Sequence, residues 1–211
     1  MRAVSIPYEA GGRSNQKQRT REALVDAARE LVTDGVAPTV EQAAAAAGIS
    51  RTTAYRYFPN QRSLLSAAHP ETALVSMLPA DAPDDVEHRL DTVAATFIRM
   101  IEGTEVQQRT MLRLSLSEPA QRGELPLRQG RAIAWFSEAL APLEEQLGPD
   151  GVRELALAIR SATGIESRVW LSDIGGLQPR DVTALQRWVA GALLRAAQDE
   201  PPPVRRRRGR S

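Results

Sequence analysis

No cysteine occurs anywhere in these 211 residues, which excludes disulfides and any Cys-ligated zinc or iron–sulfur site. Histidine is nearly as scarce: only His69 and His88 are present, too few for most His-based metal sites. His69 precedes Pro70 and His88 lies between Glu87 and Arg89, so both are expected to be exposed and unpartnered. Catalytic motifs are missing too. There is no G-x-S-x-G, no P-loop and no H-E-x-x-H, and without cysteine there is no thiol nucleophile. The acid pairs Asp84-Asp85 and Glu144-Glu145 fall at expected helix ends, where the helix dipole and solubility account for them. Neither an enzyme nor a bound cofactor or metal is expected.

Long apolar runs are also absent. No segment reaches the roughly 18 apolar residues of a membrane span, and the N-terminal MRAVSIPYEAGGRSNQ lacks the apolar stretch of a signal peptide. A cytoplasmic protein with no membrane partner is expected. Nor does any segment alternate with the period of two that marks a strand. The fold class is therefore all-α. Hydrophobic residues make up 42% and charged residues 25%, ordinary for a globular chain long enough to bury a real core in one large domain or two small ones.

The net charge of +1 conceals an asymmetry. Residues 1–62 carry nine basic and six acidic side chains, residues 63–200 thirteen and twenty, and residues 201–211 five arginines and no acid. Both ends are electropositive and the middle is acidic, which suits a protein that holds a polyanion at one end and repels it elsewhere. Lysine is represented by Lys17 alone. The arginine bias reads first as genomic composition, and as function only where position supports it.

Periodicity divides the chain. Residues 1–14, with Pro7, Gly11 and Gly12, read as a flexible arm. Leu24, Ala27, Ala28, Leu31 and Val32 then share the face of a helix from about residue 15, which Gly35 ends. Thr39 is placed to cap a short, alanine-faced helix over 40–46, with Glu41 in its first turn facing the dipole. Gly48 supplies a turn, Ile49 plugs inward, and Ser50 caps a helix over 51–57 that stops at Phe58-Pro59. Further helices are expected over 61–78, 84–102, 105–117, 127–147 with a kink at Pro142, 151–173, and from 179 to about 198. The tail PPPVRRRRGRS is too polar to form a core and is expected to be disordered, either as a solvated end or as a salt-dependent contact to nucleic acid.

The informative stretch is TVEQAAAAAGISRTTAYRYFPNQRSLL, residues 39–65. Its second helix is crowded with hydroxyls, guanidiniums and phenols, poor core material but the donor set that suits phosphate oxygens and base edges in a DNA major groove. Helix-turn-helix geometry would put the N-terminal residues of that helix toward the bases. Arg51, Thr52 and Thr53 are then nearest the base edges, Ser50 and the helix N-terminus face phosphate, and Tyr55 and Tyr57 offer phenolic O–H groups to phosphate. Arg56 could reach backbone or base, while Phe58 packs inward and Tyr57 does so in part.

Residues 17–65 resemble the N-terminal domain of the TetR family of transcriptional regulators. The resemblance is carried by Arg19-Thr20-Arg21 and Ala27-Ala28, Gly35, Ala47-Gly48-Ile49-Ser50, Thr53-Ala54-Tyr55-Arg56-Tyr57-Phe58-Pro59-Asn60, and Leu64-Leu65. It implies a three-helix helix-turn-helix DNA-binding domain followed by a roughly six-helix ligand and dimerisation domain, matching the helix count above. The expected organisation is an arm over 1–14, a DNA-binding domain over 15–62, an effector-binding and dimerisation domain over 63–200, and a disordered basic tail over 201–211. Three positions depart from the family pattern. Gln61 stands where the family carries a phosphate-gripping lysine, so that contact is either lost or shifted to Arg62. The loop over 35–40 is about one residue short, and Ala43 replaces a larger aliphatic residue. Arg62 and Thr20 complete the residues expected to touch DNA.

The resemblance further implies a homodimer on a palindromic operator in double-stranded DNA, with a small-molecule effector that releases it. Leu155, Ile159 and Ala162 on one late helix, and Leu185, Val189 and Leu193 on the last, are the expected interface, unless these faces complete the monomer's own core. Phe97, Met100, Met111, Trp135 and Trp170 are the candidate pocket residues, though plain core is the readier account of each. Arg113, Arg128, Arg131 and Glu166 sit among apolar helical positions; any that points inward needs a partner or an anionic ligand. The alternative is a DNA-binding regulator without a small-molecule ligand, controlled by a protein partner or by abundance.

Overall fold

Helix α1 is longer than its apolar face requires. In the computed structural model, which describes residues 8–69, 74–117 and 131–203 and side chains from Asn15 onward, α1 runs Tyr8–Thr33. The expected arm over 1–14 is corrected in part: residues 8–14 are helical, and residues 1–7 lie outside the described residues. Gly11 and Gly12 each weaken a helix by about 1 kcal/mol relative to alanine, but extending an existing helix avoids the cost of nucleating one. The described residues fall into two compact units, divided after residue 72.

The first unit contains α1, α2 (Val40–Ala46), α3 (Arg51–Tyr57) and α4 (Gln61–Ala68). Leu24, Val25 and Ala28 of α1 form its core with Val40, Ala43, Ala44, Ala54, Phe58, Leu64 and Ala68. Fully burying each leucine or phenylalanine contributes roughly 1.5–3 kcal/mol. The fully buried Ala43 and Ala54 leave little bulk between α2 and α3, so the two short helices approach closely.

One device ends two of these helices. After α1, Gly35 takes φ +77°, and the amides of Gly35 and Val36 donate to the carbonyls of Val32 (3.0 Å) and Leu31 (2.9 Å). After α2, Gly48 takes φ +64°, and the amides of Gly48 and Ile49 donate to Ala45 (3.2 Å) and Ala44 (2.9 Å). Both are Schellman ends, in which a left-handed residue satisfies carbonyls that the helix leaves open. Starts are equally defined. Thr39 and Gln42 form a reciprocal capping box on α2, and the Asn60 side chain accepts from the Ser63 amide at 2.8 Å on α4.

Helix α4 stops at Ala68, ten residues before the expected end at Leu78. His69 lies at φ −67°, ψ 135°, the extended region into which a following proline forces its neighbour. The same residue corrects a second expectation: His69 is fully buried, not exposed.

The second unit contains α5 (Val86–Gly103), α6 (Glu105–Ser117), α7 (Arg131–Ala139), α8 (Glu144–Thr163), α9 (Ile165–Val169) and α10 (Pro179–Asp199). Helices α5, α7, α8 and α10 surround one core, to which they contribute Leu90 and Phe97, Trp135 and Phe136, Leu155 and Ile159, and Ala190 and Leu194. Phe97 and Phe136 meet edge to face, with ring centroids 5.4 Å apart.

Two expected helices break where the backbone chemistry demands it. The one expected over 127–147 ends at Ala139, because Pro142 has no N–H for the preceding turn; a 3-10 turn over Ala141–Leu143 follows. The carbonyl of Glu138 accepts instead from Arg89 Nη2 at 2.9 Å, and that of Ala139 from Arg89 Nε at 3.3 Å. Gly148 then interrupts α8 at φ +68°, and Pro149 restarts it from a position where a missing N–H costs nothing. The helix expected over 151–173 breaks at the extended Gly164. Thr163 turns its hydroxyl back to the Ile159 carbonyl (2.8 Å), and Ser167 Oγ donates to the carbonyls of Ala162 (2.7 Å) and Gly164 (3.1 Å). Beyond α9 the chain makes one wide π turn over Trp170–Ile174. No helix among the described residues is long and apolar enough to cross a membrane.

Candidate nucleic-acid interface

The polar face of α3 is set by its N-cap. Ser50 Oγ accepts from the Thr53 amide at 3.3 Å and donates to Thr53 Oγ1 at 2.9 Å, so two of the hydroxyls expected to face DNA are already coupled. Arg51, Thr52 and Arg56 are exposed, whereas Thr53, Tyr55 and Tyr57 are half-buried. Ala54 and Phe58 are buried and anchor the helix to α1 and α2, so one side is committed to the core and the other to solvent. Phe58 packs inward as expected, with the Arg21 guanidinium 5.4 Å from its ring centroid.

Cations on this face are held over rings. Arg51 lies 5.6 Å from the Tyr55 centroid and Arg56 lies 5.8 Å from that of Tyr57. At such separations the ring quadrupole attracts the guanidinium by about 0.5–1 kcal/mol at an exposed site. Tyr55 is further tied to α2: its hydroxyl donates to Glu41 Oε1 at 2.6 Å, and Arg51 Nη2 lies 3.0 Å from the same oxygen. The Tyr55 hydrogen bond, aided by Arg51, holds the Glu41 carboxyl below its ordinary value, and the same hydrogen bond raises the Tyr55 phenol. Glu41 was legible only as a dipole partner of α2; nothing in the sequence marks a contact spanning fourteen positions.

The other expected contacts are placed as follows. Thr20 is half-buried on α1 and turns its hydroxyl to the Gln16 carbonyl at 2.9 Å. Arg62 is half-buried in the first turn of α4. Gln61, where the family pattern has lysine, uses its amide Nε2 on the carbonyls of Ala37 (2.9 Å) and Pro38 (3.2 Å).

In the second unit, Phe97 and Trp135 are buried in one core, Met100 packs against it, and Met111 is buried on α6. Trp170 does not join them. It is 60% exposed and lies on an open apolar depression of about 300 Å³ with Ala162, Leu171, Leu185 and Val189. The expected interface residues separate in the same way. Leu155 and Ile159 are buried in the chain's own core, a correction that follows from the inward face of α8, and Leu193 packs against that core too. Ala162, Leu185 and Val189 remain at the depression. Among the interior-charge candidates, Arg113 is exposed and Glu166 pairs with Arg160 at 3.1 Å. One terminal nitrogen of Arg131 is buried without a hydrogen-bond partner among the described residues, and Arg128 lies outside them. Arg160, not singled out by the sequence, holds its guanidinium 5.4 Å from the Phe97 ring centroid.

Comparison with known proteins reaches the same unit. Residues 24–68 match the family model for bacterial regulatory proteins of the tetR family. A stretch of 54 residues is 41% identical to the HTH-type transcriptional repressor LfrR of Mycolicibacterium smegmatis. It covers 26% of this chain and spans only 29% of that relative's length. Helix α2, the Gly48 turn and α3 lie inside residues 24–68 as a helix-turn-helix, so the similarity to the tetR family of bacterial regulatory proteins rests on this unit.

Proposed function

We propose that this protein is a sequence-specific DNA-binding transcriptional regulator, acting in the cytoplasm as a homodimeric repressor on a palindromic duplex. The observation that carries the reading is the exposed face of α3. There Ser50, Arg51, Thr52, Thr53, Tyr55, Arg56 and Tyr57 gather hydroxyl, guanidinium and phenol donors on one short helix over a buried Ala54–Phe58 side. Such donors match phosphate oxygens and base edges, and the net positive charge of residues 1–62 favours approach to DNA. The name of the mycobacterial relative supports repression in particular.

A single short recognition helix reads too few base pairs for useful affinity, so two must act together on successive grooves. The apolar depression at Ala162, Trp170, Leu171, Leu185 and Val189 supports a twofold contact through α10 and the turn after α9. Release would come from a small-molecule effector entering the second unit near Phe97, Met100, Met111 and Trp135. Because Phe97, Met111 and Trp135 are buried, an effector must open this core and favour a state whose recognition helices no longer match the half-site spacing.

The test is selection of duplexes from a random library by the full chain, followed by footprinting of the enriched site. A palindrome protected by the wild type and lost in Arg51→Ala/Tyr55→Ala, with dimer mass unchanged, is the expected result. An unchanged footprint in that double variant would sink the assignment.

A further inference from the structure

Glu41 is a carboxylate on the flank of a surface read here as DNA-facing, where negative charge repels phosphate. Its placement is not explained by stability. Exposed ion pairs contribute little to stability, and the Arg51 side chain is 73% exposed. Nor does the helix dipole require this particular geometry, since a first-turn acid acts on the dipole without touching another helix. What distinguishes Glu41 is that a single oxygen, Oε1, accepts the Tyr55 hydroxyl at 2.6 Å and forms an ion pair with Arg51 Nη2 at 3.0 Å. Arg51 in turn lies 5.6 Å from the Tyr55 ring centroid, so three side chains from two helices close on one another.

The consequence concerns where Arg51 goes when DNA arrives. A long, exposed arginine at the start of a recognition helix can reach a phosphate, which fixes position but carries no sequence, or a base edge, which does. A carboxylate that engages the guanidinium from the α2 side competes with phosphate. It also limits the directions the side chain can take, while the Tyr55 ring supports it from the side.

We propose, resting on the DNA-binding reading above, that Glu41 is a positioning residue for groove reading. Its carboxylate withholds Arg51 and Tyr55 from the phosphate backbone and holds them toward the base edges, lowering non-specific affinity and raising discrimination.

The experiment measures binding of the full chain to its selected duplex and to a scrambled duplex of equal length, over a range of salt. Glu41→Ala releases Arg51 to the backbone. Scrambled-site binding should strengthen, and the slope of log affinity against log salt should steepen by about 0.9 for each extra phosphate neutralised. The ratio of selected to scrambled affinity should fall about tenfold, the scale of one lost base contact. Glu41→Gln keeps an oxygen acceptor in place and should retain most of the ratio. Glu41→Asp keeps the charge but withdraws it by one methylene, so the ratio and the salt slope should both move in the direction of Glu41→Ala, by less; this variant decides the matter if Glu41→Ala fails to fold. Equal multiplication of both affinities in Glu41→Ala, with the ratio preserved, would overturn the proposal and leave only a charge effect. A wild-type chain that selects no duplex at all would instead overturn the DNA-binding reading itself.

Discussion

The Gln61 side-chain amide donates to the carbonyls of Ala37 at 2.9 Å and Pro38 at 3.2 Å, tying the first residue of α4 to the loop that leads into α2. The glutamine therefore braces the loop just ahead of the Thr39 cap. Two part-buried hydrogen bonds contribute on the order of 1–2 kcal/mol together. Gln61→Ala should lower the unfolding free energy by that amount, read as a reduced urea midpoint at unchanged slope. An unaltered midpoint would show that the brace carries no stability.

The turn between α2 and α3 makes a separate prediction. Gly48 sits at φ +64° with open space where a Cβ would project, so a substitution there meets backbone strain but no steric neighbour. Gly48→Ala should cost about 1–2 kcal/mol, the penalty of holding an L-residue in the left-handed region. Gly48→Asn should cost less, because asparagine tolerates that region. Equal losses in the two variants, measured by thermal unfolding, would mean that something other than φ governs the turn.

What could be read in advance followed local rules. Thr39, Ser50 and Gly48 announce caps and a turn through side-chain chemistry that acts within four residues, and the structure holds all three in those roles. Pro70 and Gly164 also carry local signals, yet the apolar runs around them extend two expected helices too far, and at Pro142 the expected kink is a full break. Long-range polar pairing left no trace at all. Glu41 with Tyr55, Arg89 with the last two carbonyls of α7, and Arg168 with Glu102 and Glu105 join residues whose spacing obeys no helical period. Face assignment failed for a related reason: Leu155 and Ile159 have the right spacing for an interface, but spacing cannot say which partner an apolar face meets.

That distinction between inward and outward faces is itself testable. Leu185 and Val189 lie at the apolar depression beside the exposed Trp170, whereas Leu155 is buried in the core. On the proposed twofold contact, Leu185→Asp/Val189→Asp should halve the mass found by light scattering, since charge desolvated there has no partner. Leu155→Ala should instead lower stability by about 2–5 kcal/mol, the range for truncating a buried leucine. Retention of the wild-type mass by the double aspartate variant would place any dimer contact elsewhere.

Arg168 is a buried cation in the second unit, its side chain 5% exposed. Its Nε donates to Glu105 Oε2 at 2.8 Å, while Nη1 lies 3.1 Å from Glu102 Oε1 without the alignment of a hydrogen bond. Glu105 also accepts from Arg109 Nε at 2.8 Å, and Arg109 continues to Asp173 through bonds of 2.6 and 2.9 Å. Burial pushes the Glu105 carboxyl up, but the hydrogen bonds from Arg168 and Arg109 outweigh it and hold the group below its ordinary value. Asp173 is held low chiefly by Arg109. Removing the central cation with Arg168→Met should cost about 3 kcal/mol, near the lower end for a broken buried pair because Arg109 still faces Glu105. The pH dependence has a definite sign. A carboxylate with a depressed folded pKa contributes stability that is complete above its unfolded value, about 4, and is lost as pH falls through the folded value. Arg109→Gln removes a partner from both Glu105 and Asp173. The stability gap between wild type and Arg109→Gln should therefore stay constant above about pH 5 and shrink on further acidification. Urea midpoints collected from neutral pH downward would measure it, and a gap that does not change with pH would refute the assignment of these carboxylates.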